Sequence, residues 1–199
     1  MKLYDLDLSG NCYKVRLFAS LVCLDLETNS VNFLEGEHKT EPFLRLNPFG
    51  ELPIFMDGKT ILRDSQSILI YLANKYAGEA WWPSTPHLQA EVVQWLFTAA
   101  NEIQHGPCSA RLINKFKYPL DKQLAISKSK KILQLINQHL ECREWLAIGR
   151  PTIADIAVFP YIALAPEGGI DLSDYSNIHR WMNNIKSLDN FLTMPGIGK

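Results

Sequence analysis

KLYDLDLSGNCYKVRLFASLVC, residues 2–23, carries two hydrophobic periodicities in succession, and the switch between them decides how the fold begins. Over 2–8, Asp5 and Asp7 alternate with Tyr4, Leu6 and Leu8, the period-two pattern of a strand with one covered face. Ser9-Gly10-Asn11 supplies turn and cap chemistry, and Val15, Phe18, Ala19 and Val22 then recur at helical spacing. The expected order is strand, tight loop, and a helix to about Cys23.

Working outward, 27–34 mixes Val31 and Phe33 with polar residues and reads as an edge strand, followed by a polar loop over 36–39. Residues 53–56 and 60–62 flank Asp57-Gly58, which predicts a hairpin with a type I′ turn. Asp64-Ser65 then caps an amphipathic helix through Ile68, Leu69, Leu72 and Tyr76. The pattern is βαβ followed by ββα, an α/β domain over 1–76. Gly78, Pro83, Ser84 and Pro86 mark a linker over 77–86, which Trp81 and Trp82 are expected to pin down.

Beyond the linker no strand pattern occurs. Helices are predicted over 88–106, 121–141, 152–165 and 175–188, broken by Pro107, Pro119, Pro151 and Pro166, so 87–199 reads as an all-helical domain. In the first of these helices Val93, Leu96, Ala100 and Ile103 form one apolar stripe and Val92, Trp95 and Ala99 a second, with Glu91, Gln94, Thr98 and Asn101 as a polar seam. Two faces need two partners, either within a helical bundle or across a contact with a second subunit.

The 199 residues are 47% hydrophobic and 21% charged, with a net charge of -1, an ordinary globular composition. No Lys/Arg cluster provides a footprint for nucleic acid or an anionic membrane surface. Asp5 and Asp7 interrupt any secretory signal at the N-terminus, and the apolar stretch 153–165 is too short to span a bilayer and contains Asp155 and Pro160. A cytoplasmic protein is expected. Cys12, Cys23, Cys108 and Cys142 form no CxxC pair and no zinc-like spacing with histidine, which predicts reduced thiols and no structural metal.

Ser9-Gly10-Asn11-Cys12-Tyr13-Lys14-Val15-Arg16, Asn47-Pro48-Phe49-Gly50-Glu51-Leu52-Pro53-Ile54 and Asp64-Ser65-Gln66-Ser67-Ile68, read together, resemble the glutathione transferase superfamily, in particular its bacterial members. Gly149-Arg150-Pro151-Thr152-Ile153-Ala154-Asp155-Ile156 is similar to the buried helix start of that family's C-terminal domain. The resemblance spans essentially the whole chain and implies a thioredoxin-like N-terminal domain, a helical C-terminal domain and a homodimer. It also implies glutathione as co-substrate, with no metal or tightly bound cofactor.

The resemblance makes Ser9 the residue that stabilises the glutathione thiolate, at a helix start where free N–H groups favour an anion. Taken alone, the same serine is an ordinary helix cap. Asn11 and Cys12 are the rival candidates for the sulfur, since some relatives use an asparagine or a cysteine here. Leu52 is expected to pair its backbone with the cysteinyl part of the peptide, before a Pro53 that is cis in the family. Asp64 and Ser65 stand where most relatives carry Glu-Ser and would grip the γ-glutamyl end; the aspartate is one methylene shorter. Lys39, and after it His38, would approach the glycine carboxylate. Gln104, His105, Cys108 and Arg111, at the end of the first long helix, are candidates to line an electrophile pocket with Leu112. Thr152 and Asp155 form a structural capping box.

The activity implied is transfer of the glutathione sulfur to a small hydrophobic electrophile. Reduction of disulfides or peroxides at the same site, isomerisation of a dicarboxylic substrate, and a non-catalytic ligand-binding protein are the alternatives.

Overall fold

The computed structural model describes all 199 residues. Strand β1 (Lys2–Asp5) leads through a short loop to α1 (Gly10–Leu21) and on to β2 (Glu27–Ser30), which pairs parallel with β1, Lys2 opposite Glu27. After the short helix α2 (Glu41–Leu46), β3 (Ile54–Asp57) and β4 (Thr60–Arg63) form an antiparallel hairpin, and α3 (Ser65–Leu72) follows. The sheet order is β2-β1-β3-β4, with β3 antiparallel to β1.

Register explains how the sheet is covered. Leu3 lies opposite Phe55, and both enter a core with Val15, Ile68, Leu69 and Leu72 from α1 and α3. The neighbouring pair, Tyr4 and Ile54, faces the other way and packs with Val31, Phe43 and Leu46, so α2 covers the second face. Helix α2 lies beyond the polar loop expected over 36–39, and strand β2 ends at Ser30, earlier than the expected 34. Thr40 as N-cap and Pro42 in the first turn are the sequence signals for α2.

The hairpin loop is Gly58-Lys59, because Asp57 pairs with Thr60. Of these two residues only Gly58 has positive φ, +58°, a pattern that fits a type II′ turn rather than the expected I′.

The second half is helical: α4 (Pro86–Thr98), a π-helical segment (Ala99–Cys108), α5 (Ser109–Phe116), α6 (Lys122–His139), α7 (Ile153–Ala163) and α8 (Ser176–Lys186). Pro107 does not break the first of these, as its lack of an N–H and its bulky ring had suggested. The chain stays helical from Pro86 to Phe116, because wider π-turns move the clashing carbonyl away and the Ser109 hydroxyl donates to the Gln104 carbonyl at 2.9 Å. The buried face of this run combines the two predicted stripes as Val92, Leu96, Ala99 and Ile103, whereas Ala100 is exposed.

Helix α7 sits at the centre, buried from Ile153 through Ile162, and packs against α1, α3 and α4. One core therefore runs through both halves of the chain, with Trp81 packed edge-on against Phe18 at 5.2 Å between them. Full burial of a side chain such as Phe159 contributes about 2 kcal/mol. The α7 start carries the predicted capping box. Thr152 Oγ1 accepts from Ala154 N at 3.2 Å and Asp155 accepts from Thr152 N at 2.9 Å. Asp155 also accepts from Leu146 N and Trp181 Nε1, each at 2.9 Å, and so ties three segments together. No helix is long and apolar enough to cross a membrane.

Candidate active site

The loop leaving β1 delivers Ser9 to the first turn of α1 as its N-cap, in extended conformation at φ -80° and ψ 119°. Its Oγ accepts from Cys12 N at 3.2 Å. A hydroxyl has one proton and two lone pairs, and here the cap engages only a lone pair. No oxygen or nitrogen of the protein accepts the proton of Ser9, whose hydroxyl otherwise lies beside the Cys12 thiol, and the Gly10 and Asn11 N–H groups lie too near the helix start for an acceptor one turn back. Three donors thus converge at the positive end of a helix dipole, an arrangement suited to an anion. Gly10 makes the close packing possible, since a Cβ there would stand 2.7 Å from the Tyr161 ring of α7.

Asn11, half-buried, points its Oδ1 at Lys14 Nζ, 2.9 Å away, and at Ser65 Oγ, 3.5 Å away. This joins the first turn of α1 to the first turn of α3. Ser65 is 3% exposed, and its single hydroxyl proton faces two acceptors, Asn11 Oδ1 and the closer Gln66 Oε1. Asp64, at φ 71°, caps α3 by accepting from Gln66 N and Ser67 N through one oxygen, both at 3.0 Å. Its second carboxylate oxygen accepts from no protein group, so capping and binding are compatible.

Cys12 lies in the core with no exposed surface. Burial pushes its thiol up to about 12, against a weaker opposing effect of its contact with Ser9. A reactive thiol needs the reverse, access and a lowered pKa. The site thus places this expected candidate among packing residues.

Continued one step, the register that sets Tyr4 opposite Ile54 and Ile54 opposite Arg63 brings Pro53 level with Asp5 and Asp64. The Leu52–Pro53 bond, which is cis, therefore sits between the ends of β1 and β4. The loop before it is shaped by Asn47, 2% exposed, whose amide donates to the Glu51 carbonyl at 2.8 Å and whose oxygen accepts from Phe49 N at 3.1 Å. Lys39 is exposed and donates to the Gly50 and Phe49 carbonyls at 2.8 and 3.2 Å, which sets it on the flank of the same loop. His38 is buried and stacked on Phe33 at 3.9 Å, and burial lowers its pKa.

The four residues expected to line an electrophile pocket divide. Gln104 is half-buried and His105 exposed. Cys108 and Arg111 are each 2% exposed and face inward, which leaves them no open wall. Arg111 donates to Glu167 at 2.5 Å and to the Leu8 carbonyl at 2.9 Å, immediately before Ser9. Sequence reading missed Lys14, Tyr161 and Asn47 as parts of this neighbourhood. Lys14 shares a helical face with Phe18 and Leu21, a spacing of four and seven that places a charge on an apolar stripe.

Comparison with known proteins agrees with this geometry. The family model described as "Glutathione S-transferase, N-terminal domain" matches residues 3–80, and "Glutathione S-transferase, C-terminal domain" matches 110–189. Among solved structures, a glutathione S-transferase from Pseudomonas fluorescens is 33% identical, with 97% of this chain and 98% of that one covered at a TM-score of 0.91. A possible glutathione S-transferase from Rhodopseudomonas palustris is 31% identical, with 97% of each chain covered and a TM-score of 0.89. A delta-class glutathione transferase from Nilaparvata lugens is 28% identical over 94% of this chain and 88% of that one, with a TM-score of 0.83.

Proposed function

This chain belongs to the glutathione S-transferase superfamily, and on that footing we propose that it activates the thiol of glutathione at Ser9 and transfers the sulfur to a small hydrophobic electrophile. The observation that carries the reading is the Ser9 hydroxyl at the α1 N-terminus, whose proton no oxygen or nitrogen of the protein accepts, beside two free backbone N–H groups. Donors aimed at a forming thiolate lower its pKa and raise the fraction of nucleophile at neutral pH.

In this reading Ser9 donates to the sulfur and Asn11 assists. The Leu52 backbone, ahead of Pro53, pairs with the cysteinyl part of the peptide. Asp64 and Ser65, at the α3 N-terminus, take the γ-glutamyl end, and Lys39 takes the glycine carboxylate. Gln104 and His105 are the members of the predicted electrophile pocket with surface to offer. Glutathione is the co-substrate, and neither a metal nor a bound cofactor takes part.

The burial of Cys12 and its raised pKa favour conjugation over a disulfide-reducing reading that would employ that thiol. Activity on a glutathione mixed disulfide that vanishes in Cys12→Ala would reverse this preference. We place the boundary between a glutathione-binding domain and a helical domain in the 77–86 segment and assign the protein to the cytoplasm, where its four free cysteines stay reduced. The homodimer that the family resemblance implies is part of the same proposal.

Titration calorimetry with glutathione tests the binding half of the proposal. Micromolar to millimolar affinity in the wild type, weakened about ten-fold or more in Asp64→Ala and Ser65→Ala, is expected. No heat of binding would favour a non-catalytic ligand carrier.

A further inference from the structure

Lys14 has a place in this site that neither its neighbours in sequence nor the assignments above explain. It is 1% exposed, on a helix packed against α3 and α7. No carboxylate lies within ion-pair distance of its ammonium, which sits 5.5 Å above the Tyr161 ring. Buried charges are ordinarily paired, because desolvation is expensive.

The sole hydrogen-bond acceptor of the ammonium is Asn11 Oδ1, at 2.9 Å. An ammonium only donates, so the amide atom facing it must be the oxygen, and the orientation of Asn11 is settled by chemistry. Ser65 Oγ approaches the same oxygen at 3.5 Å. The amide nitrogen is turned away from both, donates to no protein atom, and is not among the buried unpaired groups. It is a free donor two residues from Ser9.

We propose that Lys14 is a positioning residue: it holds the Asn11 amide in the orientation that leaves its N–H2 group free to donate to the sulfur of glutathione bound at Ser9. The inference rests on the glutathione reading of the site given above. It adds a second side-chain donor at the sulfur and names the residue that aims it.

The groups facing the ammonium are consistent with that role. Asp64 approaches from the α3 cap, Cys108 from the π-helical segment and Tyr161 from α7, and burial raises the pKa of both Cys108 and Tyr161, which keeps them neutral. Burial also lowers Lys14, to about 8, so it still carries its charge at neutral pH.

The test compares wild type, Lys14→Met, Lys14→Arg, Asn11→Ala and the Lys14→Met/Asn11→Ala double variant. The measurements are glutathione affinity by calorimetry, the pH profile of kcat/KM with an activated chloroarene, and the ultraviolet absorbance of bound thiolate. Lys14→Met is expected to bind glutathione within about three-fold of wild type, yet to lose about ten-fold in kcat/KM at neutral pH as the acidic limb of its profile moves up by about one unit. Lys14→Arg recovers the wild-type profile, and Lys14→Met added to Asn11→Ala produces no further loss.

An unmoved profile in Lys14→Met, or a full additional loss in the double variant, overturns the proposal. If Lys14→Met folds poorly, Lys14→Gln, which keeps a donor without the charge, is judged by the same profile. A wild type that binds no glutathione overturns the site reading and this proposal together, whereas a wild type that binds while Lys14→Met titrates normally overturns this proposal alone.

Discussion

Arg111 Nη1 donates to the backbone carbonyl of Leu8 at 2.9 Å, so a side chain of the helical half fixes the residue directly before Ser9. The same guanidinium pairs with Glu167 at 2.5 Å and is 2% exposed. The loop that presents Ser9 is therefore held from outside the sheet that it leaves.

Replacing Arg111 with Met should cost about 3 kcal/mol, because the Leu8 carbonyl and part of the Glu167 carboxylate lose a buried, charge-assisted donor. Lys115, 2.5 Å from Glu167, softens the loss without reaching Leu8. Denaturant unfolding measures the difference, and a change below about 0.5 kcal/mol would mean that the contact is incidental.

Asp155→Ala should destabilise by about 3 kcal/mol or more, since the Thr152 N–H, Leu146 N–H and Trp181 indole N–H all lose their acceptor inside the core. The protein that still folds should bind glutathione with unchanged affinity, because these contacts are remote from the α1 and α3 N-termini. Unfolding curves and calorimetry on the same preparation separate the two effects; an unchanged unfolding midpoint would contradict the first.

Lys14 makes stability depend on pH in a defined direction. Its folded value is lowered by burial to about 8 from an ordinary 10.5. Between those values the unfolded chain binds a proton that the folded chain does not, so this group makes wild-type stability rise with pH, by up to roughly 3 kcal/mol. Lys14→Met lacks the dependence. Its advantage over wild type should be greatest below about pH 8 and shrink toward pH 10.5, as read from urea unfolding across that range. A gap that stays constant would show that Lys14 is not depressed.

Local periodicity and turn residues make much of this arrangement legible in the sequence. The Ser9 cap and the Asp64-Ser65 start correspond to structure, because each depends on neighbours along the chain, whereas the Asp5 and Asp7 alternation overstates β1: the strand ends at Asp5, which is 3% exposed on the face of Leu3, and Asp7 lies beyond it in a turn. Pro107 was misleading because a proline reports the clash it causes in an α-helix, whereas a wider π-turn, with Ser109 serving the Gln104 carbonyl, removes it. Thr40 and Pro42 signalled α2 but lay in a stretch dominated by polar residues. At the site, what is invisible to sequence reading is the contacts between positions far apart along the chain. Arg111 reaches Leu8 across 103 positions, and Asn11 meets Ser65 across 54. Cys12 is adjacent to Asn11 in sequence but rotated into the core, a difference that helical phase alone decides.

The most direct test of the account is the pH profile of kcat/KM for glutathione conjugation in wild type and Ser9→Ala. The account predicts a loss of about a hundred-fold at neutral pH in Ser9→Ala, by analogy with the removal of a donor to a developing anion, with glutathione affinity little altered. The loss should diminish at alkaline pH, where glutathione ionises without assistance. A Ser9→Ala protein as active as wild type at every pH would contradict the claim that the Ser9 hydroxyl stabilises the thiolate.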